Sequence, residues 1–185
     1  MRDTEEIHKL KKNIFSADWE GKKASANRLF EIGGQENTDY LISLLDQSNS
    51  QVRDAVALTF RERKFNEALD PLLKAIVKKE NSGYNGTMVY ALETLDCSHK
   101  LKDLFEILFE KNSYEAQNHI LTILNEQTFE FSSSDLLTIK AKWDALKERW
   151  NVLNNIEGEN LRKHDIDKDL IQSFVDSYTS YFDKK

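Results

Sequence analysis

Helix-breaking residues are scarce in this sequence of 185 residues, which contains one proline, Pro71, and six glycines. So few breakers leave few points at which a helix would be interrupted, which favours long helices joined by short turns. Cysteine is also scarce: Cys97 is the only one, and an intramolecular disulfide is therefore excluded. That usage fits a reducing compartment, so we expect the chain to be cytoplasmic.

The sequence also lacks an excess of basic charge and a long apolar run. Lysine and arginine number 26 against 32 aspartates and glutamates, which gives a formal net charge of −6. A chain without a polybasic region attracts phosphate groups weakly, so we expect no direct nucleic-acid partner. No apolar stretch approaches the ~20 residues of a membrane span, and the N-terminus has no apolar signal core. We expect no membrane partner, whereas a basic protein would be attracted electrostatically.

Residue patterns that carry catalysis or metal binding are missing as well. The histidines are His8, His99, His119 and His164. They lack the spacing of a metal-ligand motif, and one cysteine is too few for a thiolate site. The acidic stretch 165–169 alternates carboxylates like a calcium loop, but leucine stands where such a loop requires glycine. It is better explained as the acidic first turn of a helix, so we predict no enzyme, no metal and no cofactor.

An apolar pattern repeats along the chain. Four helical patterns end in an apolar anchor, with separations of 30, 32 and 32 residues, and the anchors are Phe30, Phe60, Leu92 and Leu124. Four positions earlier the residue is again apolar, as Ala26, Val56, Met88 and Ile120. A second apolar pair follows the last three anchors, as Leu72 and Leu73, Leu104 and Phe105, and Leu136 and Leu137. Because one helix hairpin cannot bury its apolar stripe alone, repeated hairpins stack and share a core.

The second repeat carries a resemblance to a known family. It contains Val52-Arg53-Asp54-Ala55-Val56-Ala57-Leu58-Thr59-Phe60, followed by Asn66-Glu67-Ala68-Leu69-Asp70-Pro71-Leu72-Leu73. This succession of Val-Arg, small apolar residues, an acidic turn and a Leu-Leu helix resembles the compact bacterial HEAT-like repeat. The resemblance implies an all-α fold, a right-handed α-solenoid of about four helix hairpins with a C-terminal helical cap. The expected single domain, 1–185, has repeats near 4–36, 37–65, 66–97 and 98–131 and capping helices over 132–185.

The apolar spacing, together with helix-start residues, predicts where the helices lie. The expected pairs are 4–15 and 18–32, 37–47 and 51–64, 66–80 and 84–96, and 101–112 and 114–127, followed by single helices near 134–154 and 166–182. Asn37, Asn66 and Ser113 are predicted N-caps, and the stretch 132–135 is another. Gly33 is predicted to end the second helix.

Pro71 falls inside one of these helical patterns. Proline is tolerated in the first turn of a helix because the amide that it lacks has no partner there. In the helix interior it costs about 3 kcal/mol and bends the helix. The sequence therefore leaves two alternatives, a helix that begins near Asp70 and a kinked helix that begins at residue 66.

Beyond residue 132 the repeat is lost. Trp143, Leu146, Trp150 and Leu153 form one apolar stripe, and Ile166, Leu170, Phe174, Tyr178 and Phe182 form another with a steady spacing of four. Two docked helices that seal the end of the array are the expected outcome. The alternative is a homodimer formed through exposed tryptophans of the first stripe, although packing in the core is the more common fate of such residues.

The resemblance implies that the second helix of each pair lines the binding surface. Positions seven before the anchors, Lys23, Arg53, Asn85 and Gln117, are predicted to face outward. The residues that we predict to contact a partner are Arg53, Tyr84, Asn85, Tyr90, Glu93, His119 and Glu126. Tyrosine and arginine dominate many protein interfaces. The alternative for Arg53 is a role within the structure of its own repeat.

These observations favour a protein-binding module. The most concrete version is a bacterial immunity protein that binds a cognate toxin, such as a basic toxin domain, and blocks it by steric and electrostatic occlusion. A generic adaptor or scaffold subunit is the alternative. HEAT-like repeats also occur in lyase subunits and DNA-repair glycosylases, so the resemblance leaves an enzyme as a less favoured alternative. A glycosylase would require a basic groove, which the acidic balance of the chain does not predict.

Overall fold

The computed structural model describes residues 2–110, 113–157 and 168–180. These residues form α-helices and short 3-10 turns but no strand, which confirms the predicted all-α class. The helices are α1 (Arg2–Ser16), α2 (Trp19–Ile32), α3 (Gln35–Ser43), α4 (Ser50–Arg63), α5 (Leu69–Ile76), α6 (Gly86–Leu92), α7 (Leu101–Phe109), α8 (Tyr114–Glu126), α9 (Ser133–Glu157) and α10 (Lys168–Thr179). No helix within the described ranges has the length and apolar character needed to cross a membrane.

The chain divides into two compact units, Met1–Asp96 and Cys97–Lys185. In the first unit α1 packs against α2, and α2, α4 and α6 then pack side by side in chain order. The helices that precede α4 and α6 lie beside this row, with α3 against α2 and α5 against α6. Neighbouring hairpins thus pack in sequence, and the division between the units falls at the end of the third predicted repeat.

The repeated apolar positions form the core, as their spacing predicts. The four residues that stand four positions before the anchors are fully buried, and they are Ala26, Val56, Met88 and Ile120. The anchor Phe30 packs edge-on against Phe60 and Phe65, with ring centroids 6.2 and 5.1 Å apart. Each aromatic ring of this kind buries a large apolar area, so the anchors Phe30 and Phe60 contribute to the contact between α2 and α4.

One predicted core residue is exposed. Leu137 keeps 59% of its surface accessible, although its neighbour Leu136 is buried. The buried face of α9 follows Leu136, Ile139 and Trp143, whose spacing of three and four residues matches the helical period. Because Leu137 lies about 100° around the helix from Leu136, it turns away from that face. The prediction for Leu137 is therefore wrong.

Two predicted N-caps have other roles. Asn37 lies inside α3, where its buried side chain donates from Nδ2 to the Gly33 carbonyl at 2.8 Å. Asn66 lies in a 3-10 turn, and its Oδ1 accepts a 2.6 Å hydrogen bond from the Asp96 amide, 30 residues later. Both predictions are wrong because the hydrogen bond that asparagine forms depends on where neighbouring chain ends lie, which a local pattern does not contain.

The remaining helix ends follow the predicted chemistry. The helix α5 begins at Leu69, so Pro71 falls in its first turn and the unkinked alternative holds. Ser113 caps α8 by accepting from the Ala116 amide at 3.1 Å. Before α9, Ser132 and Asp135 exchange two hydrogen bonds, from the Asp135 amide to Ser132 Oγ at 3.2 Å and from the Ser132 amide to Asp135 Oδ2 at 2.9 Å. That reciprocal pair is a capping box.

The second unit is built around aromatic side chains. The helix α7 packs against both α8 and α9, and α10 packs against α9. Trp143 is buried, stacks on Phe109 with centroids 5.5 Å apart, and donates from Nε1 to Gln172 Oε1 at 2.6 Å. Core packing thus accounts for Trp143, and the homodimer alternative loses one of its two tryptophans. The side chain of Trp150, the other one, lies outside the described residues.

The last helix docks through a face that differs from the predicted one. Ile171 and Val175 are buried, whereas Leu170 is exposed. A steady spacing of four drifts around a helix of 3.6 residues per turn, so the predicted row cannot remain on one face. The docking is completed by Tyr178, whose hydroxyl donates to the Leu124 carbonyl at 3.0 Å. Residues 166 and 182 of that row, like residues 165–167 of the acidic stretch, lie outside the described residues.

Candidate protein-binding surface

The polar position that opens each second helix serves the fold rather than a partner. Arg53 is 3% exposed and donates from Nη1 to the carbonyls of Gln47 and Ser48 at 2.6 and 3.1 Å. Asn85 is fully buried and donates from Nδ2 to the Ile76 carbonyl at 3.2 Å. Both side chains reach back to the end of the preceding helix or turn, whose last carbonyls have no partner within the helix.

The same arrangement recurs in the other hairpins. In the first hairpin the donor stands one residue earlier than that register: Lys22 donates from Nζ to the carbonyls of Phe15 and Ala17 at 3.1 and 2.6 Å, whereas Lys23 pairs with Glu20. In the second unit Gln117 donates from Nε2 to the Leu108 carbonyl at 3.4 Å. Lysine, arginine, asparagine and glutamine share only a side-chain N–H donor, and each closes its own hairpin. We therefore assign Arg53 and Asn85, predicted as contact residues, to the fold.

Side chains near the C-terminal ends of α4 and α6 form an ordered cluster around Arg61. Its guanidinium carbon lies 3.8 Å from the ring centroid of Tyr90, and its Nε donates to the Tyr90 carbonyl at 3.3 Å. Its Nη2 lies 3.4 Å from Glu93 Oε2, and the Thr94 hydroxyl donates to the Arg61 carbonyl at 2.9 Å. These contacts fix Arg61 in one place, because its guanidinium face, its Nε and Nη2 atoms and its backbone carbonyl all have partners.

Further ion pairs continue along the neighbouring helix ends. Arg28 Nε lies 2.8 Å from Glu6 Oε1, and its Nη1 lies 3.7 Å from Glu31 Oε2. Glu31 also pairs with Arg63 of α4. The hydrogen bond to Glu6 raises the pKa of Arg28 above its ordinary value. Each such surface pair contributes only ~0–1 kcal/mol, so their main consequence is to limit the motion of the side chains.

We call this surface the ionic ridge and define it as Glu6, Arg28, Glu31, Arg61, Arg63, Tyr90 and Glu93. Its three arginines are matched by three glutamates, so it carries no net formal charge. Two of its pairs, Glu31 with Arg63 and Arg61 with Glu93, join residues that are 32 residues apart, close to the anchor spacings of 30 and 32 residues. Opposite charges at that spacing are the signal by which the sequence could have revealed the ridge.

The other five predicted contact residues lie in three places. Tyr90 and Glu93 belong to the ionic ridge, and Tyr84 lies before α6 with 71% of its surface exposed. His119 and Glu126 both lie on α8 of the second unit, seven positions apart and hence on one side of that helix. His119 Nε2 lies 4.0 Å from Glu115 Oε1, and Glu126 is exposed.

Two open grooves accompany these surfaces. The groove of the first unit, about 340 Å³, runs between α5 and the end of α3 and is lined by Ile42, Ser43, Leu45, Asp46, Asp70, Pro71 and Lys74. That of the second unit, about 370 Å³, runs between α7 and α9 and is lined by Glu106, Phe109, Glu110, Lys142, Ala145, Leu146 and Arg149. Within the described ranges, no three histidines, cysteines or carboxylates are grouped as metal ligands would be.

No protein-family model matches this chain, and neither curated proteins nor solved structures provide a match. The resemblance to HEAT-like repeats therefore rests on the residues of this sequence alone and stays a prediction.

Proposed function

We propose that this protein is a HEAT-like solenoid of about four repeats that acts as a protein–protein interaction module and binds its partner through the ionic ridge. The observation that carries the proposal is the Arg61–Tyr90–Glu93 cluster, in which an arginine of α4 is held over a tyrosine ring of the neighbouring helix α6. Arginine and tyrosine are the residue types that most often supply the energy of protein interfaces.

Pre-organisation makes the cluster suited to binding. A mobile arginine loses about 0.5–1.5 kcal/mol of side-chain freedom when a partner immobilises it. Arg61 has already lost that freedom in the folded chain, since its stacking, its hydrogen bond and its ion pair define one position. A partner that contacts Arg61 and Tyr90 therefore binds side chains that are already ordered, and the entropic cost of binding is smaller.

In its most concrete form, the proposal is that of a bacterial immunity protein which occludes a cognate toxin. The chain's net charge of −6 supports long-range attraction of a basic toxin domain. The ridge itself is charge-balanced, so it would set the fit of the complex rather than its rate of encounter. Under this proposal the chain is not an enzyme, and a scaffold or adaptor subunit is the alternative.

The experiment is to purify the tagged chain from its native cells at low salt and to identify co-purifying proteins by mass spectrometry. We expect a stoichiometric partner that is lost when Arg61→Glu and Tyr90→Ser are combined. The matched control is Lys140→Glu, which reverses the charge of an exposed lysine on α9 that pairs with Asp144. Circular dichroism establishes that both variants are folded.

Each outcome has a definite meaning. A partner that is toxic when expressed alone, and harmless together with this chain, supports the immunity version. A non-toxic partner that still depends on Arg61 and Tyr90 supports the adaptor alternative. Recovery of the chain without any partner, or a partner that the double variant retains, contradicts binding through the ionic ridge.

A further inference from the structure

Glu62 lies on the outward side of α4, between two arginines of the ionic ridge that belong to the same helix. Successive residues of an α-helix are rotated by about 100° around its axis. Phe60 is fully buried, so Glu62, two residues later, lies about 200° around the helix from it and is exposed. Arg61 and Arg63 lie on either side of Glu62 and reach to α6 and α2, respectively. Glu62 thus stands where a partner of the ridge would approach.

A neutral side chain, rather than a cation, holds Glu62. Asn27 of α2 donates from Nδ2 to Glu62 Oε2 at 3.1 Å. The other polar atom of that amide, Oδ1, is buried and has no hydrogen-bond partner among the described residues. A buried carbonyl without a partner opposes folding, so packing alone would favour an apolar residue at this position. The bond to Glu62 is what the asparagine adds, and it orients the carboxylate.

Glu62 has no ion pair within the described ranges, unlike the charged residues around it. Each arginine of the ionic ridge is paired with a glutamate of the ridge. Lys64 is exposed, belongs to the left-handed cap that ends α4, and forms no ion pair with Glu62. The carboxylate of Glu62 is therefore bonded to a neutral donor alone. A cationic donor would add both a hydrogen bond and the attraction between opposite charges.

We propose that Glu62 determines the specificity of the ionic ridge by receiving a lysine or arginine side chain of a basic partner. The inference rests on the proposed function and adds the chemistry of the partner group. Asn27 occupies Oε2 of the carboxylate, so Oε1, which has no hydrogen bond within the described part of the chain, is free for the cation. A carboxylate of a wrong partner at this place would be repelled by Glu62. The net charge of −6 favours the approach of the same basic partners.

The test begins with a displayed library of random peptides, from which binders to the full-length chain are selected. Peptides that bind Tyr90→Ser equally well are removed. Because that substitution deletes a ring of the ionic ridge without changing the charge of the chain, the peptides that remain depend on the ridge and are not selected for their charge. We expect these peptides to share a lysine or arginine at one position.

The affinity of the leading synthetic peptide is then measured by fluorescence anisotropy for the wild type, Glu62→Lys and Glu67→Lys. Glu62→Lys is expected to lose about tenfold or more in affinity, because it replaces an attraction with a repulsion. Glu67→Lys is the matched control, since it changes the net charge equally at another exposed glutamate, in the 3-10 turn before α5. It is expected to leave the affinity nearly unchanged at physiological salt, where separated surface charges are screened. Circular dichroism establishes that all variants are folded.

A charge reversal on the peptide tests whether its basic residue meets Glu62 directly. The shared lysine or arginine of the leading peptide is replaced with glutamate. This peptide is expected to bind the wild type about tenfold or more weakly and to regain affinity for Glu62→Lys. Recovery of affinity in the doubly reversed pair requires that the two residues interact, whereas a general effect of either substitution on folding or charge would not produce it.

The results distinguish failure of this inference from failure of the proposed function. If no peptide depends on Tyr90, binding through the ionic ridge is contradicted, and the role of Glu62 falls with it. Peptides that depend on Tyr90 but share no basic residue, or that bind Glu62→Lys as tightly as the wild type, overturn the role of Glu62 and leave the ridge as a binding surface. Equal losses in Glu62→Lys and Glu67→Lys also overturn it, since the peptide would then respond to net charge.

Discussion

Replacing Arg53 with methionine tests whether this residue closes its hairpin or contacts a partner. Methionine preserves most of the volume of the side-chain stem but removes both hydrogen bonds, to the Gln47 and Ser48 carbonyls. A hydrogen bond to a charged group contributes about 1.5–3 kcal/mol. The two carbonyls lie in a joint that water reaches, so they regain part of that stabilisation, and we expect a net loss of about 2 kcal/mol.

The assay is urea denaturation followed by circular dichroism at pH 7. Arg53→Met is expected to lower the denaturant midpoint of the transition that includes the first unit, without a change in slope. The matched control is Gln51→Met, an exposed position two residues earlier on the same helix, for which a change within about 0.5 kcal/mol is expected. Arg53→Lys keeps a cation that can reach one carbonyl and should fall between the two.

A loss no larger than that of Gln51→Met would refute the structural role of Arg53. The partner assays provide the complementary measurement. With denaturant absent and the variant folded, Arg53→Met should leave binding at the ionic ridge unchanged. Reduced binding together with unchanged stability would restore the original assignment of Arg53 as a contact residue.

Two further predictions concern the second unit. Tyr178→Phe removes the hydroxyl that donates to the Leu124 carbonyl but keeps the ring, so we expect a loss of about 1 kcal/mol in urea denaturation, while Tyr114→Phe serves as the exposed control. An unchanged midpoint for Tyr178→Phe would contradict docking of α10 through this bond. For Asp135, the hydrogen bonds from Ser132 hold the pKa of the carboxyl below its ordinary value. A lowered folded pKa means that stability is present above the unfolded value, about 3.9, and is lost as pH falls through the folded pKa. The difference in stability between wild type and Asp135→Asn should thus be present at pH 7 and shrink in acid, and a difference independent of pH would contradict it.

The core of the fold could be predicted from the sequence because burial repeats with a fixed period. Ala26, Val56, Met88 and Ile120 occupy equivalent positions and are all fully buried. Apolar residues at one register have one physical requirement, removal from water, so their location follows from spacing alone. Leu137 is the exception because its neighbour Leu136 satisfies the same local pattern, and only the packing of α9 decides which of the two is buried.

The contacts of polar side chains could not be predicted from spacing in this way. At the register of Arg53 and Asn85 the sequence shows only that a polar residue stands near the start of a helix. Such a side chain can face solvent or reach back to the carbonyls of the preceding helix, and the choice depends on the turn between the two helices. The common donor group of Lys22, Arg53, Asn85 and Gln117 becomes informative only when their partners are known.

Under the proposed function, these roles imply where partner selection lies. A side chain that closes its hairpin is constrained to provide an N–H donor, so it has little freedom to specify a partner. Residues that differ between equivalent positions are not constrained in this way. Tyr90 occupies the register that holds Arg28, Leu58 and Thr122 in the other hairpins. Positions of this kind are where changes of sequence should alter partner choice while the fold is kept.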